Sequence, residues 1–530
     1  TDSSPWKALG SDQVSSSLRP IHENGNDALC LDYNFNNVAG YAAMRRELPI
    51  TFPGNYQFDF RVRGSGPANA FEFKLIDASG DNVWWVSKPN TVFSNEWTDV
   101  RYKARHISPA WGPLKDKALR QTQSVEFTIS ANEGGSGSLC IDDLRFSERP
   151  NPLTDWPEPR VTASSGAVAP TGFAGLDLPG EDAAFAATGW RSDAKAGVAQ
   201  TVTLDFGQLR ELGGVVLQWL PGEYASTYRI ELSDDGASWR VVRDVIAGNG
   251  GSDPVMLTES EARYLRVVML QGVGQRFGLA GIDVKDLAFG ATANNFISAI
   301  AANDKTRHFP RGFRGEQSYW TLVGIDGGHD SGLIGEDGAI EVARGGFSIA
   351  PFVVGDSASC GDTSGAATEV LADRRVLGSA DVTPNQSLLD GYLPMPAVHW
   401  LHGGCKLNDI GAKREVAGFH LDVAAFAQGD AKESRIFSSY TLRNDDARTR
   451  TLTLALAVEP FQVNPPVQFL TTPGGISPIH QLGYAGGVVR VNGKPHVWPL
   501  TAPRRFFATP FDQDMAAQHL THKDWPTAHS

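Results

Sequence analysis

The stretch Tyr228-Arg-Ile-Glu-Leu-Ser-Asp-Asp-Gly-Ala-Ser-Trp239 decides how the middle of this 530-residue chain is interpreted. Its first half is one of five strand candidates between residues 200 and 270. The other four are QTVTLDFG at 200–207, GGVVLQWL at 213–220, WRVVRDV at 239–245 and RYLRVVML at 263–270. Short strands at even spacing predict a β-sandwich over residues 161–289.

The regions on either side are also predicted to be rich in β-strands. In residues 1–149, runs such as YQFDFRVRG (56–64) and FEFKLIDASG (71–80) alternate apolar and polar residues, as in a sheet with one solvated face. Residues 150–160 form a proline-rich linker. Residues 293–530 predict a short helix near Asn294–Asn303, an antiparallel meander from Phe419 to Phe461, and a weak helix pattern at Asp512–His519.

Size and charge exclude several classes of function. A chain of this length exceeds one hydrophobic core, so several domains are expected. The net charge of −13 gives an acidic surface that repels phosphate backbones, and nucleic acid is therefore not an expected partner. No run of 18 apolar residues is present, so no membrane span is predicted.

Cysteine usage bears on the compartment. Cys30 and Cys140 lie in strand-like runs near the two ends of the first region, and Cys360 and Cys405 lie in glycine-rich, loop-like surroundings. Two cysteines per region suit two disulfides and an oxidising compartment, whereas the alternative is four buried thiols. We expect a periplasmic or secreted protein whose signal peptide has been removed; without disulfides, a cytosolic protein would fit equally well.

The second region resembles the discoidin, or coagulation-factor C-type, family. The resemblance rests on six elements in the family's order: Gly189–Ser192, Thr201–Gly207, Leu217–Trp219, Tyr228–Trp239, Ala262–Val267 and Phe277–Leu279. It implies a jelly-roll sandwich whose loops at one end bind ligands, often sugars. Trp190 and Arg191 are the candidate ligand-binding residues, with packing in the core as the alternative for Trp190 and as the favoured role of Trp239.

The first region resembles carbohydrate-binding modules of the galactose-binding-like jelly-roll type. The resemblance rests on the following elements: Cys30–Tyr33, Tyr56–Phe60, Phe71–Leu75, Trp97–Val100 and Cys140–Leu144. Such modules often stack sugar rings on aromatic side chains across one sheet face. Trp84 and Trp85 are adjacent, so on a strand they point to opposite faces, and one can be core while the other is a platform.

Further candidates follow from the same resemblance. Arg101, Tyr102 and Trp111 lie in the run expected near the tryptophan pair, although burial is the alternative for any single aromatic residue. Asp142 and Asp143 resemble the acidic pair that often holds structural calcium in these modules. Calcium takes six or more oxygens, so other residues would have to contribute, and turn carboxylates accepting backbone hydrogen bonds are the alternative.

The third region resembles the N-terminal supersandwich domain that precedes an (α/α)-barrel in several glycoside hydrolases and phosphorylases. The resemblance rests on the following elements: Tyr319–His329, Gly335–Glu341, Gly345–Ile349, Tyr440–Asn444 and Glu459–Pro466. It implies that the catalytic carboxylates lie mainly on a helical barrel, which would follow residue 530. Within the region, Asp330, Trp400 and His402 are candidates for a sugar subsite, with ordinary turns as the alternative.

The resemblances together imply a mainly β fold class: two galactose-binding-like jelly-roll sandwiches followed by a larger antiparallel β-supersandwich. The favoured hypothesis is the carbohydrate-binding and scaffolding portion of an exported polysaccharide-degrading glycoside hydrolase. Its partners would be a polysaccharide or oligosaccharide and a C-terminal catalytic domain or second chain. The alternatives are a non-catalytic glycan-binding or adhesion protein, and a self-contained glycosidase with its site in residues 293–530. No catalytic residue is assigned, since no nucleophile elbow, phosphate loop or dinucleotide fingerprint occurs.

Overall fold

A computed structural model of the chain divides into two compact units, Thr1–Trp156 and Pro157–Ser530. The division falls inside the predicted proline-rich linker. The structure describes the following residues: 5–23, 25–151, 156–168, 172–176, 189–193, 198–246, 248–304, 307–356, 374–403, 417–445, 449, 451–467, 474–509 and 516–521.

The first unit is built from antiparallel strands joined by short turns. Its strands are β1 (Trp6–Gly10), β2 (Ser15–Glu23), β3 (Asn26–Asn34), β4 (Tyr41–Thr51), β5 (Tyr56–Ser65), β6 (Asn69–Ile76), β7 (Val83–Thr91), β8 (Thr98–Lys103), β9 (Ser108–Trp111), β10 (Gln121–Ser130) and β11 (Ser136–Glu148), with a 3₁₀ turn at Ala104–His106. They form a first sheet in the order β1-β4-β10-β6-β7-β9 and a second sheet in the order β2-β3-β11-β5-β8.

Alternation along the strands builds the core between these two sheets. In β5, Tyr56, Phe58, Phe60 and Val62 are buried, and the residues between them are half-exposed. In the first sheet, Phe71, Phe73 and Leu75 of β6 and Val125, Phe127 and Ile129 of β10 point into the same core. Burial of aromatic rings from both sheets supplies the main driving force for this sandwich.

A disulfide joins two strands of the second sheet. Cys30 and Cys140 are directly opposite each other in the β3–β11 ladder and are bonded. The predicted pairing of these two cysteines is therefore confirmed. Cys360 and Cys405 lie outside the described residues.

The second unit begins with an eight-stranded sheet. Its members are β12 (Arg160–Ala163), β13 (Ala174–Leu176), β14 (Trp190–Arg191), β15 (Gln200–Trp219), β16 (Ala225–Ser233), β17 (Arg240–Val245), β18 (Ser252–Gly272) and β19 (Gly278–Lys285). The long strands β15 and β18 pair along their length with two register shifts. The inward residues of this sheet form one continuous apolar core.

Three smaller sheets follow in the second unit. Their strands are β20 (Trp320–Val323), β21 (Gly332–Gly335), β22 (Ile340–Glu341), β23 (Ser348–Asp356), β24 (Arg374–Leu377), β25 (Thr383–Leu389), β26 (Leu393–Gly403), β27 (Ala417–Gly429), β28 (Ser434–Asn444), β29 (Leu452–Glu459), β30 (Leu482–Ala485), β31 (Val488–Val491) and β32 (Lys494–Val497). Helices lie at Ala293–Asn303 and Ala516–Thr521, and 3₁₀ turns at Arg311–Arg314 and Ser379–Asp381.

Strand β23 lies in the middle of this third region. Val353 packs on the meander β25–β28, whereas Phe352 and Val354 pack on the other side against Phe296 and Ile297 of the helix Ala293–Asn303. Both faces of the sheet that contains β23 are thus covered. The helix near residues 294–303 is confirmed, and the C-terminal helix Ala516–Thr521 overlaps the pattern predicted at Asp512–His519.

The second and third predicted regions share apolar packing. Phe289 contacts Phe296 edge-on at 5.3 Å between ring centroids, and Val216 and Met256 of the eight-stranded sheet pack against the same cluster. Side chains therefore cross the boundary predicted near residue 290. The predicted mainly β fold class is confirmed. None of the described helices is both long and apolar enough to span a membrane.

Removing the disulfide should destabilise the first unit. The bond closes a loop of 110 residues, and losing such a crosslink costs about 3–5 kcal/mol because the unfolded chain gains freedom. We expect the double variant Cys30→Ser/Cys140→Ser to unfold at lower urea concentration than the unchanged chain, with the loss confined to the transition of the first unit. An unchanged midpoint for that transition would contradict the stabilising role.

Candidate functional site

The outer face of the first sheet carries charged residues at positions that alternate with the core. Because Phe71, Phe73 and Leu75 point inward, Glu72 and Lys74 of β6 point outward. On the neighbouring strand β10, Glu126 lies directly opposite Lys74 on one side. On its other side, Glu126 lies opposite Arg45 of β4. A row of three charges, Arg45–Glu126–Lys74, therefore crosses the sheet, and Glu72 lies two positions from Lys74 along β6.

These four charges form one compact network. Lys74 Nζ lies 2.7 Å from Glu72 and 3.5 Å from Glu126, and Arg45 lies 2.7 Å from Glu126. Thr128 joins the network by donating a 2.8 Å hydrogen bond to Glu126. Glu126 is only 2% exposed, and Glu72 and Lys74 are also buried. Two acids facing two bases leave the network electrically balanced, which is what makes burial tolerable.

Aromatic rings border the charge network. Trp85 of β7 lies opposite Lys74, and its ring meets that of Trp111 edge-on at 5.6 Å. Trp111 is 50% exposed and Tyr41 is 41% exposed. Lys74 Nζ lies 5.5 Å from the Trp111 ring and 5.9 Å from the Tyr41 ring, within cation–π range. We call this set of rings and charges the aromatic face.

A pocket in the third region is the second candidate site. It lies where the segment Arg311–Arg314, the β21–β22 turn and the ends of β23 and β29 meet. Arg311 donates across its rim to Glu336 at 3.1 Å and to Glu316 at 3.1 Å. We call it the third-region pocket; the lining residues used below are His308, Arg311, Glu336, Asp337, Ser348 and Glu459.

Two carboxyl groups of this pocket are strongly desolvated. Burial, reinforced by the nearby charge of Asp337, raises the pKa of Glu459 to about 8. Burial also raises the pKa of Asp337 and of Glu336, although Arg311 opposes the rise in both. Oε1 of Glu459 has no hydrogen-bond partner among the described residues. Buried carboxyls with raised pKa in a pocket are typical of binding or catalytic sites.

Comparison with known proteins bears on the eight-stranded sheet first. Residues 161–281 match the family model described as F5/8 type C domain. This segment is similar to the F5/8 type C family. The match confirms the resemblance to the discoidin family over the second region. The comparison with curated protein sequences gave no match.

Several solved structures are similar to parts of the chain. One is chitosan-binding module 2 in complex with chitotriose, derived from a chitosanase/glucanase of Paenibacillus sp. IK-5, with 24% identity over 24% of this chain and 96% of that one and a TM-score of 0.21. Module 1 of the same enzyme has 28% identity over 24% and 94% of the two chains and a TM-score of 0.20. The family 11 carbohydrate-binding module of a Clostridium thermocellum cellulosomal cellulase has 14% identity over 27% and 88% and a TM-score of 0.24.

Trp190, predicted as a ligand-binding residue of the F5/8 type C segment, is part of the core of that segment. Trp190 is 0% exposed, and its Nε1 donates to the Ser165 carbonyl at 2.8 Å, so its ring cannot stack on a ligand. The packing alternative is correct for this residue. Arg191 is exposed and donates to Glu223 at 2.8 Å, with Arg276 3.8 Å from the same carboxylate.

Trp239 of the F5/8 type C segment is not a core residue, contrary to the favoured expectation. Its ring is half-buried on the outer face, with the Arg266 guanidinium 3.9 Å from the ring centroid. Arg266 is held in turn by Glu231 at 2.5 Å. The turn after β16 places the ring outside the sheet, where a cation covers it.

In the first unit, the adjacent tryptophans divide as the alternation predicts. Trp84 is the core residue: it is 4% exposed and its Nε1 donates to the Lys117 carbonyl at 2.7 Å. Trp85 is the partly exposed ring of the aromatic face. Tyr102 was predicted as a ligand-binding residue but is buried in the core, where desolvation raises the pKa of its hydroxyl. Arg101 lies on the second sheet, paired with Asp59 at 2.6 Å, and is not part of the aromatic face.

The predicted calcium residues both face arginines. Asp142 is buried and pairs with Arg61, and Asp143, in the left-handed conformation with φ of 58°, pairs with Arg145 at 2.8 Å. A register shift between Asp142 and Arg145 separates the two carboxylates. Among the described residues, no group of three or more acids, histidines or cysteines could hold a metal. Both carboxylates are thus paired with arginines, and calcium binding by Asp142 and Asp143 stays a prediction.

The three candidates of the third region are not brought together. Trp400 is 0% exposed, so it cannot stack on sugar; it instead supports the third-region pocket by donating to the Asp337 carbonyl at 3.2 Å. His402 stacks on Phe419 with ring centroids 5.1 Å apart. Asp330 is exposed and is not among the residues that line the pocket.

Sequence reasoning missed the charged residues of both sites. Glu72, Lys74 and Glu126 alternate with phenylalanines in FEFKL and VEFTI, and this alternation was the available signal for an outer polar face. Glu459 ends a strand at the start of Glu-Pro-Phe. Its burial depends on its pairing with Ser348, more than a hundred residues away, and no local pattern reveals that.

The adjacent tryptophans should differ in their effect on stability. Trp84→Ala leaves a cavity in the core of the first unit and should cost about 3–5 kcal/mol. Trp85→Ala, one position along the same strand, removes a partly exposed ring and its edge contact, and should cost about 1 kcal/mol. Urea unfolding of the two variants measures the difference. Equal losses of unfolding free energy in the two variants would contradict the placement of Trp84 in the core and of Trp85 on the outer face.

The buried carboxyl of Glu459 should make stability fall with pH. The folded-state pKa of about 8 lies above the ordinary value of 4.5, so between these values the unfolded chain loses a proton that the folded chain keeps. The free energy of unfolding therefore decreases as pH rises through this interval. Glu459→Gln cannot titrate, and we expect it to lose about 1–3 kcal/mol less than the unchanged chain between pH 5 and pH 8.

The matched control for this pH effect is Glu433→Gln. Glu433 is an exposed carboxylate of the same unit, with its side chain 74% exposed and paired only with Arg435 among the described residues. Urea midpoints at the two pH values give the comparison. An identical pH dependence in the Glu459→Gln variant and the unchanged chain would contradict the assignment.

Proposed function

We propose that this chain binds glycans through the aromatic face of its first unit. The observation that carries the proposal is the pair of exposed Trp111 and partly exposed Trp85 beside a buried, charge-balanced network of hydrogen-bonding groups. Flat aromatic rings suit the CH groups of a pyranose, and polar neighbours suit its hydroxyls. Because the network has no net charge, an uncharged or weakly charged glycan fits it better than a polyanion does.

The position of Lys74 supports this proposal. Its ammonium group lies between the two acids and within 6 Å of the Trp111 and Tyr41 rings, so these rings are held around a fixed polar centre. Such a preorganised surface loses little side-chain entropy on binding. A flat sheet face with several rings also suits an extended chain of sugars rather than a single residue.

We further propose that the chain serves an exported polysaccharide-degrading glycoside hydrolase. A further domain or a second chain would supply the catalytic carboxylates. The Cys30–Cys140 disulfide supports an oxidising compartment for the protein. The match of residues 161–281 to the F5/8 type C family supports a second binding module in the same chain. Two linked modules would gain avidity on a polymer even where each binds weakly.

Removing the exposed rings tests the binding face. We expect Trp85→Ala and Trp111→Ala each to weaken affinity for a bound polysaccharide about tenfold or more, because each removes a stacking surface from the same face. The measurement is affinity electrophoresis of the full chain through gels that contain soluble β-glucan, chitosan or galactan, followed by calorimetry on whichever polymer retards it.

Trp97→Ala is the matched control. Trp97 belongs to the same unit but lies near Arg61 and Arg63 of the second sheet, with Arg63 4.7 Å from its ring centroid. This variant should bind as the unchanged chain does. Loss of binding in the control, or full binding after removal of both Trp85 and Trp111, would refute the proposed face.

A further inference from the structure

The third-region pocket contains a buried acceptor that the described chain does not satisfy. Glu459 is 4% exposed and lines the pocket, yet its Oε1 receives no hydrogen bond from the described residues. Leaving such a group unpaired costs free energy, because it has lost its water and gained no hydrogen bond in return. A ligand that donates to this oxygen would recover that free energy.

Glu341 shows that the fold can satisfy a buried carboxyl when no ligand is involved. It lies on β22, on the other side of β23 from Glu459, and is 1% exposed. Its oxygens accept hydrogen bonds from the backbone N–H groups of Gly345 at 2.9 Å and Asn464 at 3.0 Å. Glu341 does not line the pocket. The unpaired oxygen is therefore specific to the carboxyl that does line it.

The groups around Glu459 restrict the charge of a ligand. Glu336 and Asp337 add two more carboxyls to the pocket, which disfavours an anion. Arg311 is already bound to Glu316 and Glu336 and adds a positive charge, which disfavours a cation. The described residues contain no cluster of ligands that could hold a metal ion. An uncharged ligand remains.

The protonation of Glu459 indicates what that ligand must offer. With a pKa of about 8, the group is mainly a neutral carboxyl at pH 7, with one O–H donor and one free acceptor. A hydroxyl group can donate and accept at once, whereas an ammonium group can only donate. Buried Ser348 lies opposite Glu459 in the β23–β29 pairing, and its hydroxyl joins the Glu459 carboxyl among the groups that line the pocket.

We propose that the third-region pocket binds an uncharged sugar residue, with a ligand hydroxyl hydrogen-bonded to the carboxyl group of Glu459. This site lies in the second unit and goes beyond the aromatic face, since it would recognise one sugar residue or a chain end rather than an extended polymer. Trp400 is a positioning residue here: it holds the Asp337 turn that forms one wall.

The test uses the full chain with Trp85→Ala and Trp111→Ala, so that binding at the aromatic face does not contribute. Isothermal titration calorimetry measures binding of glucose, galactose, mannose, N-acetylglucosamine and glucosamine at pH 6 and pH 9. We expect at least one uncharged sugar to bind at pH 6. Glu459→Ala should weaken it about tenfold or more, because the unpaired acceptor is removed.

Glu459→Gln separates a binding role from a merely structural one. The amide keeps one donor and one acceptor, so this variant should still bind at pH 6, and its affinity should not fall at pH 9. In the unchanged carboxyl, ionisation above pH 8 removes the donor, so affinity should fall. The other titratable or charged groups that line the pocket are Glu336 and Asp337 from the β21–β22 turn, and His308, Arg311 and Tyr319 from the segment before β20. These groups are present both in the unchanged chain and in the Glu459→Gln variant, so they do not account for a difference in pH dependence between the two.

The control is Glu433→Gln, which changes an exposed carboxylate of the same unit that does not line the pocket and should leave sugar affinity unchanged. Three results would overturn the proposal: no uncharged sugar binds, binding survives Glu459→Ala, or glucosamine binds only at pH 6, where its amine is an ammonium, while the uncharged sugars do not bind. Because the background lacks the aromatic rings, none of these results bears on the face of the first unit. Circular dichroism melts confirm that each variant is folded.

Discussion

Alternation of side chains along a β-strand is the constraint on which both candidate sites depend. When Phe71, Phe73 and Leu75 fill the core, Glu72 and Lys74 must occupy the opposite face. The same rule sends Trp84 inward and Trp85 outward. A one-residue slip of β6 would turn Lys74 into the core and expose Phe73, so the aromatic face and the core stabilise the same register.

Buried charge is managed in two ways in this chain, and the difference separates the sites. On the aromatic face, Glu126 is surrounded by Lys74, Arg45 and Thr128, so its charge is compensated within the sheet. In the third-region pocket, none of the described cations forms an ion pair with Glu459, and burial instead favours its neutral form. The first arrangement places each charge beside an opposite one. The second places a proton-dependent donor inside a pocket.

Much of the fold could be predicted from the sequence because its signals are local. Alternation in YQFDFRVRG and FEFKL predicted the strands of the first unit, and the order of elements around Tyr228–Trp239 predicted the F5/8 type C resemblance. The Cys30–Cys140 pair followed from their matching strand-like surroundings. The division of Trp84 and Trp85 between two faces was predictable, but which ring was buried depended on the pairing of β7 with β6.

The sites were less predictable because they depend on contacts between distant segments. Trp190, Trp400 and Tyr102 are large aromatic residues in suitable sequence surroundings, yet each lies in a core formed by strands that sequence alone does not bring together. Asp142 and Asp143 are an acidic pair in the sequence, but their carboxylates form ion pairs with Arg61 and Arg145, which the sequence does not reveal. Residue type indicated candidates, but the partner across the sheet decided the role.

The covering of exposed rings by cations determines which tryptophans remain available to a ligand. Trp239 lies under Arg266, and Trp97 lies beside Arg63, so one face of each ring is already occupied by a guanidinium. The cation near Trp111 is the ammonium group of Lys74, which lies 5.5 Å from the ring centroid, farther than Arg63 or Arg266 from their tryptophans. Half of the surface of Trp111 is exposed to solvent. A sugar stacking on Trp239 would first have to displace Arg266 from both the ring and Glu231, whereas Trp111 requires no such exchange. Of these three tryptophans, Trp111 of the first unit therefore offers the best stacking surface.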